Sequence, residues 1–327
     1  MGRLFRRSMF NKFLYLYLLC VLGGCLLAGC RHRDPPLSAR VELGQRLFFS
    51  TILSDQHTIS CASCHNPKWA FADTTALPNG VRGLPTLRNA PGLFNLNRRA
   101  PYLSEGGVRT LEELIVAPLH DSLEMGSNLG HVVRRLWQDT LWLRLWLSTW
   151  DTLPSPYTFT TSLADFLRSL KSESSRADRF YRGNTAILTA QEREGAWLFT
   201  RPRLGCTRCH FGPDLTDNQF HNVGIAPKSA DQGRFRLTGN ASDKGKFKTP
   251  TLRNLRFTAP YMHDGSLKTL DEVFDHYASP SHPISPNDEI RQPVPLSPSE
   301  KRKIKAFLLA LSDSDFVQRS VRLLSEK

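Results

Sequence analysis

The chain carries Cys-x-x-Cys-His twice, as "CASCH" at residues 61–65 and "CTRCH" at residues 206–210. Two thiols at this spacing, followed at once by an imidazole, form the attachment pattern of a c-type haem: the thiols add to its vinyl groups and the histidine is carried beneath the iron. Seven cysteines are present; Cys20, Cys25 and Cys30 lie near the N-terminus, and Cys61, Cys64, Cys206 and Cys209 make up the two motifs. None is left for a structural disulfide. A zinc site built from the four motif thiols is the main competitor, but zinc ribbons bring their pairs within a short loop, and these pairs stand in different halves of the chain. A thioredoxin-like redox pair requires a βαβ setting that the sequence does not offer. Two covalently bound haem c groups, held by Cys61, Cys64 and His65 and by Cys206, Cys209 and His210, are the expectation.

The N-terminus points to export. Arg3, Arg6, Arg7 and Lys12 precede the apolar run "FLYLYLLCVLGGCLLAG", the layout of a signal peptide. "LLAGC" resembles a bacterial lipobox, which implies cleavage before Cys30 and a lipid on its thiol. An uncleaved anchor helix is the alternative, although the run is marginal for the roughly 20 residues a span requires. The formal charge of +13 fits steering of an acidic redox partner or simple solubility. The basic-aromatic pattern of nucleic-acid readers is missing, so no nucleic acid partner is expected.

The halves repeat beyond the two motifs. "GQRLFF" (44–49) answers "GAWLFT" (195–200), "LPTLRN" (84–89) answers "TPTLRN" (249–254), and "APYLSEGGVRTLEEL" (100–114) answers "APYMHDGSLKTLDEV" (259–273). One ancestral unit has been used twice. "SARVELGQRLFF" and "TAQEREGAWLFT" show apolar residues at helical spacing behind a Ser or Thr cap. "LSPSEKRKIKAFLLAL" reads as an amphipathic helix after Pro298, with "TTSLADFLRSL" as its counterpart. Long alternating runs are scarce, so a sheet core is not expected. The fold class is mostly α: two tandem cytochrome c-type domains, each around one covalent haem c. The boundaries are a signal peptide at 1–29, a linker at 30–38, an N-terminal domain at 39–175 and a C-terminal domain at 176–327. The division falls in the polar stretch "KSESSRADRFYRGNTA".

The repeat breaks at the residues that matter to iron. A sixth ligand closes a haem for electron transfer, whereas a vacant sixth position lets it bind peroxide. In the second unit the candidate ligands are Met262, His263, His276 and Tyr277; Met262 aligns with Leu103, His263 with Ser104 and Tyr277 with Pro118. No His or Met occurs from Asn66 through Leu119. The first haem is therefore expected to be open and the second closed. Cleaving hydrogen peroxide requires a group that takes a proton from one oxygen and returns it to the other. "LHDSLEMG" supplies Glu124, with His120 and Asp121 beside it; judged alone, Glu124 reads first as a solvated loop acid. His57, His131, His221 and His282 read as surface or packing residues.

Together, the two motifs, "PTLRN", "PYMHDG" and "TLEELIVAPLHDSLEMG" resemble the bacterial di-haem cytochrome c peroxidase family, including its MauG-like branch, from about Ala39 to Leu311. The resemblance implies that the first haem is peroxidatic, that Glu124 is its acid-base catalyst and that Pro118 lines the same pocket. It implies that the second haem relays electrons, with a distal ligand where Tyr277 stands: a Met in ordinary peroxidases, a Tyr in MauG-like members. It also implies a calcium ion between the haems on Asn89, with backbone help from Thr258 and Pro260. By register Tyr277 is favoured as the distal ligand, and Met262 competes, since thioether ligation is common in c-type haems.

Three departures stand out. The distal His that ordinary peroxidases carry on the first haem is absent, so no reductive activation is expected. The family's pocket Gln is Leu114. Ser104 replaces the Trp that usually lies between the haems, which leaves Tyr102 or Trp69 as alternative electron routes. The expected activity is reduction of hydrogen peroxide to water with electrons from a small cytochrome c or cupredoxin, on the periplasmic side of a bacterial membrane. MauG-like oxidation of a protein substrate is the second reading, and a non-catalytic di-haem electron carrier the third. Homodimerisation stays open.

Overall fold

Two glycines fix how the helices cross. In the computed structural model, Gly44 lies on helix α1 (Leu37–Phe49), and a Cβ there would stand 2.0 Å from the Ser162 carbonyl oxygen of the crossing helix. Gly195 plays the same part in the second half: a Cβ would stand 2.0 Å from the Lys303 carbonyl oxygen. Any side chain at either position would force the helix pair apart. The repeated "G-x-x-L-F" is thus a close-approach signature as well as a helical one, with Leu47 and Phe48 of the first copy, and Leu198 and Phe199 of the second, turned into the core.

The described residues are 34–225, 231–278, 293–294 and 296–325. The expected signal peptide with Cys20, Cys25 and Cys30, and His282, lie outside them. The chain divides into Met1–Pro36, described only at 34–36 where it forms neither helix nor strand, and one compact unit, Leu37–Lys327. In the latter, α1 is followed by α2 (Leu111–His120), α3 (Leu129–Gln138), α4 (Thr140–Trp150) and α5 (Pro156–Ser169). After these come α6 (Arg176–Tyr181), α7 (Ala190–Phe199), α8 (Leu270–Ala278), α9 (Pro298–Ala310) and α10 (Ser314–Arg322). Among the described residues the one sheet is a two-residue antiparallel ladder, β1 (Phe220–His221) with β2 (Phe247–Lys248).

Helix α5 begins at Pro156, four residues ahead of "TTSLADFLRSL", because Ser155 and Thr158 form a capping box there. Thr189 caps α7 as expected, reciprocally with Glu192. Ser38, read as a cap, lies inside the first turn of α1 instead. The polar stretch between the halves also holds a helix, α6, started by the Ser175–Asp178 capping box. Its few apolar residues hid it; Ala177 alone is buried.

Two cores follow the duplication. One gathers α1, α2 and α5 with Phe71, Phe94, Trp146 and Trp150, and the other gathers α7, α8 and α9 with Leu204 and Leu255. The indoles of Trp146 and Trp150 donate to Thr158 Oγ1 (3.1 Å) and Ser162 Oγ (3.0 Å), tying α4 to α5. The first core also takes Phe316 and Val317 from α10, at the far end of the chain. The repeated loops superpose in detail: Tyr102 and Tyr261 donate to the carbonyls of Leu96 (2.9 Å) and Leu255 (2.8 Å), and Leu103 and Met262 share a left-handed backbone.

Candidate active site

Cys61–Cys64 forms a single helical turn closed by the His65 N–H, and Cys206–Arg208 a tighter turn before His210. All four thiols are unbridged. Burial pushes Cys61 up to about 12 and Cys64 and Cys206 up to about 11, so the thiols are neutral. His65 Nδ1 donates to the carbonyls of Phe71 (2.9 Å) and Pro91 (3.1 Å), and His210 Nδ1 donates to Leu215 (2.9 Å). Because a carbonyl can only accept, each Nδ1 carries the proton and each Nε2 is left as a lone-pair donor. Burial lowers both histidine pKa values and keeps the rings neutral. An unbridged thiol pair next to a neutral imidazole with its Nδ1 anchored is what a covalent haem with an axial histidine requires.

Glu124 is brought to the first of these sites. The Val81 N–H donates to the Glu124 carbonyl (2.8 Å), and Gly80 sits so close to the Leu123 carbonyl that a Cβ would be 1.8 Å from it. The same loop meets the motif at Asn79, whose carbonyl faces Cys64 Sγ at 3.9 Å. The Glu124 carboxylate is close enough to raise the pKa of both Cys61 and Cys64. Its own pKa is pushed up to about 7, first by burial and then by Asp121 and Glu105, with Arg88 opposing. Pro118 lies within α2, and its carbonyl accepts from the Met125 N–H (3.1 Å), folding the turn that carries Glu124 back over the helix end. His120 and Asp121 serve the backbone, accepting from the N–H groups of Leu129 (3.2 Å) and Leu123 (2.8 Å). Leu114 packs against the first core.

The second site differs from the first. Tyr277 is on α8, its phenol pKa raised by burial and then by nearby Cys209 and Cys206. Its neighbour His276 turns away to the Val223 carbonyl (2.7 Å). His263 stacks on Phe247 with centroids 3.6 Å apart, in the field of Asp264, Asp231 and Arg88. Asn89 donates through Nδ2 to the carbonyls of Thr75 (3.0 Å) and Ala76 (3.2 Å) and through its backbone to His263 (2.9 Å).

Some site residues were not legible in the sequence. His221, read as surface or packing, bonds Asp217 through Nε2 (2.9 Å) with Cys209 close by. Lys248 N donates to the Ser104 carbonyl (2.7 Å), while its Nζ reaches the carbonyls of Arg99 and Pro101 and lies 6.0 Å from the Tyr102 ring centroid. Burial, and then Arg99, brings Lys248 down to about 7. Tyr102 is buried and its hydroxyl is committed to a carbonyl, whereas Trp69 is exposed. Arg88 forms a bidentate pair with Asp231 (2.7 and 2.9 Å) and a further bond to Glu105, joining the two halves near Glu124.

The profile of the family described as di-haem cytochrome c peroxidase matches residues 38–186. A cytochrome-c peroxidase, IdrP2, from Denitromonas iodatirespirans is 32% identical over 83% of this chain and 81% of its own. The methylamine utilization protein MauG of Methylorubrum extorquens is 32% identical over 85% of this chain and 79% of its own. A solved MauG-like protein associated with microbial copper homeostasis is 30% identical, with a TM-score of 0.77, covering 88% of this chain and 95% of that one. The chain belongs to the di-haem cytochrome c peroxidase family. It is accordingly a haem-dependent oxidoreductase, mostly helical and built of two c-type haem halves.

Proposed function

We propose that the protein reduces hydrogen peroxide to water at the first haem, with electrons delivered through the second by a small cytochrome c or cupredoxin. When bound, the two haems supply the redox chemistry. The protein's share is to hold their axial histidines, to offer no second ligand to the first haem and to move a proton at its open position. Glu124 carries the reading: it is held by the loop 79–81, close enough to Cys61 and Cys64 to raise their pKa values, and its own pKa is pushed up to about 7, which suits it to accept the proton of the near peroxide oxygen and return it to the leaving one. Pro118, at the position of Tyr277, offers no group that can ligate iron. The nearness of Tyr277 to Cys206 and Cys209 supports its role as distal ligand of the second haem.

Tyr277 favours a second reading, MauG-like oxidation of a protein substrate. Export to the periplasmic side and a lipid on Cys30 belong to the proposal through the leader sequence; among the described residues no helix is long and apolar enough to cross a membrane. A calcium ion is also included: among the described residues the Thr258 and Pro260 carbonyls accept no hydrogen bond, and Asn89 spends its Nδ2, leaving Oδ1 to face a cation.

Visible and EPR spectra of the oxidised protein, before and after stoichiometric peroxide, test the reading. A high-spin signal lost with peroxide and restored by a reduced donor is expected. Two low-spin haems indifferent to peroxide would overturn it in favour of an electron carrier.

A further inference from the structure

The two carbonyls that hold His65 belong to residues locked by a helix from the opposite end of the chain. Phe71, whose carbonyl is the shorter acceptor, has a left-handed backbone (φ 59°), as does Ala70 before it (φ 53°). Bulky residues hold that conformation only where packing over-determines it. The packing is visible: the Phe71 ring is fully buried among Phe48, Phe166 and Phe316, with the Phe316 centroid 6.0 Å away. The second carbonyl, that of Pro91, is one residue from Gly92, where a Cβ would be 2.9 Å from the Ala70 carbonyl and 2.6 Å from the Phe94 ring. Phe94 also stacks edge-on against Phe316, at 6.0 Å. One ring therefore braces both segments.

Phe316 is itself held from the second half. Its N–H is capped by Asp313 Oδ1 (2.9 Å), and Asp313 Oδ2 accepts from the Ser174 N–H (2.8 Å). The Asp313 N–H donates to Asn254 Oδ1 (2.8 Å), the Asn that ends the repeated "TPTLRN" block. His210 has a simpler arrangement, one carbonyl from Leu215, and among the described residues its core takes nothing from α10.

We infer that Phe316 is a positioning residue for His65: through Phe71 and Phe94 it holds two carbonyls on Nδ1–H and so makes Nε2 a stronger donor to the first haem iron. The inference rests on the functional reading only in taking His65 as that iron's axial ligand. Hydrogen bonding from the distal nitrogen of a ligating histidine raises its basicity, which favours ferric over ferrous iron. Loosening Phe316 must then raise the potential of the first haem and leave the second unchanged.

The test is spectroelectrochemical titration of both haems in the full-length holoprotein, comparing wild type with Phe316→Ala, Phe316→Leu and Val317→Ala. Phe316→Ala is expected to shift the first haem's reduction equilibrium about tenfold toward ferrous, which is about 59 mV for one electron. Phe316→Leu should shift it less in the same direction. Val317→Ala thins the same helix without removing a ring and should leave both potentials in place. A lower melting temperature for Phe316→Ala with an unmoved first potential overturns the inference. If Phe316→Ala fails to fold, Phe316→Leu decides by the same criterion. A wild-type protein without haem at Cys61 and Cys64 would overturn both this and the functional reading, whereas a normal wild type with unmoved variants overturns this inference alone.

Discussion

The pH dependence of peroxide turnover follows from the burial of Glu124. With its pKa pushed up to about 7, Glu124 is about one-eleventh ionised at pH 6 and about ten-elevenths at pH 8, so a step that needs the carboxylate quickens about tenfold across that range. An ordinary glutamate, near 4.5, would be almost fully ionised throughout and give a nearly flat profile. Glu124→Gln should flatten the profile and lower the initial rate about 10²- to 10⁴-fold. Stability should move the other way. Because the folded pKa lies above the unfolded one, the contribution is fully present below about 4.5 and lost as pH rises through about 7, amounting to about 3 kcal/mol at neutral pH and above. Glu124→Gln removes that loss and should raise the melting temperature at pH 8 while destroying activity. Stopped-flow peroxide reduction from pH 5.5 to 8.5, with melting curves at the same points, is the assay. A flat wild-type profile, or an inflection near 7 that survives in Glu124→Gln, would refute the argument.

Asp121→Asn should move the inflection to lower pH by removing a like charge beside Glu124, and Arg88→Gln should move it to higher pH, both read from the same profile. Tyr277→Phe should abolish the low-spin spectrum of the second haem, and Met262→Ala should leave it intact; the reverse pattern would reassign the ligand. Gly44→Ala and Gly195→Ala should each destabilise, although helix propensity alone predicts a gain of about 1 kcal/mol. The carbonyl 2.0 Å from each added methyl should cost at least about 2 kcal/mol net, or at least about 3 °C in melting temperature. Gly130→Ala, on the exposed start of α3 with only its own Asn128 nearby at 3.4 Å, is the control and should not destabilise.

What the sequence made legible was local or repeated. The haem motifs, the helix periods and the paired loops each sit within a few tens of residues, and the duplication supplied an internal alignment that exposed Pro118 and Tyr277. Placing Glu124 required the loop 79–81, whose backbone contact with Glu124 leaves no mark in the sequence beyond a glycine. Ser38 was misread because the helix begins one residue ahead of it, at Leu37. The pairs Arg88–Asp231 and Arg98–Asp214 join residues more than a hundred positions apart, and charge alone does not choose among so many acids and bases. Lys248 escaped notice because its partners are carbonyls, which every residue possesses. Phe316 lies beyond the repeat, where the internal alignment had nothing to compare.

The ties between the halves bear on how such a chain can change by descent. Asp231 is almost wholly enclosed and paired with Arg88, and Asp214 receives Asn95 and Arg98 from the other half. Losing Arg88 leaves Asp231 charged and buried, a penalty of about 3–5 kcal/mol. After the ancestral duplication either copy was free to shed a ligand that the other retained. Once these pairs and the returning C-terminal helix were in place, neither copy could be deleted or exchanged alone. A recombinant that takes its first half from one relative and its second from another should survive only where both parents carry matching residues at 88 and 231, at 98 and 214, and at 71 and 316. Shuffling of halves among relatives is therefore expected to stop at the family's branches, and each branch inherits its pair of haem sites as one indivisible character.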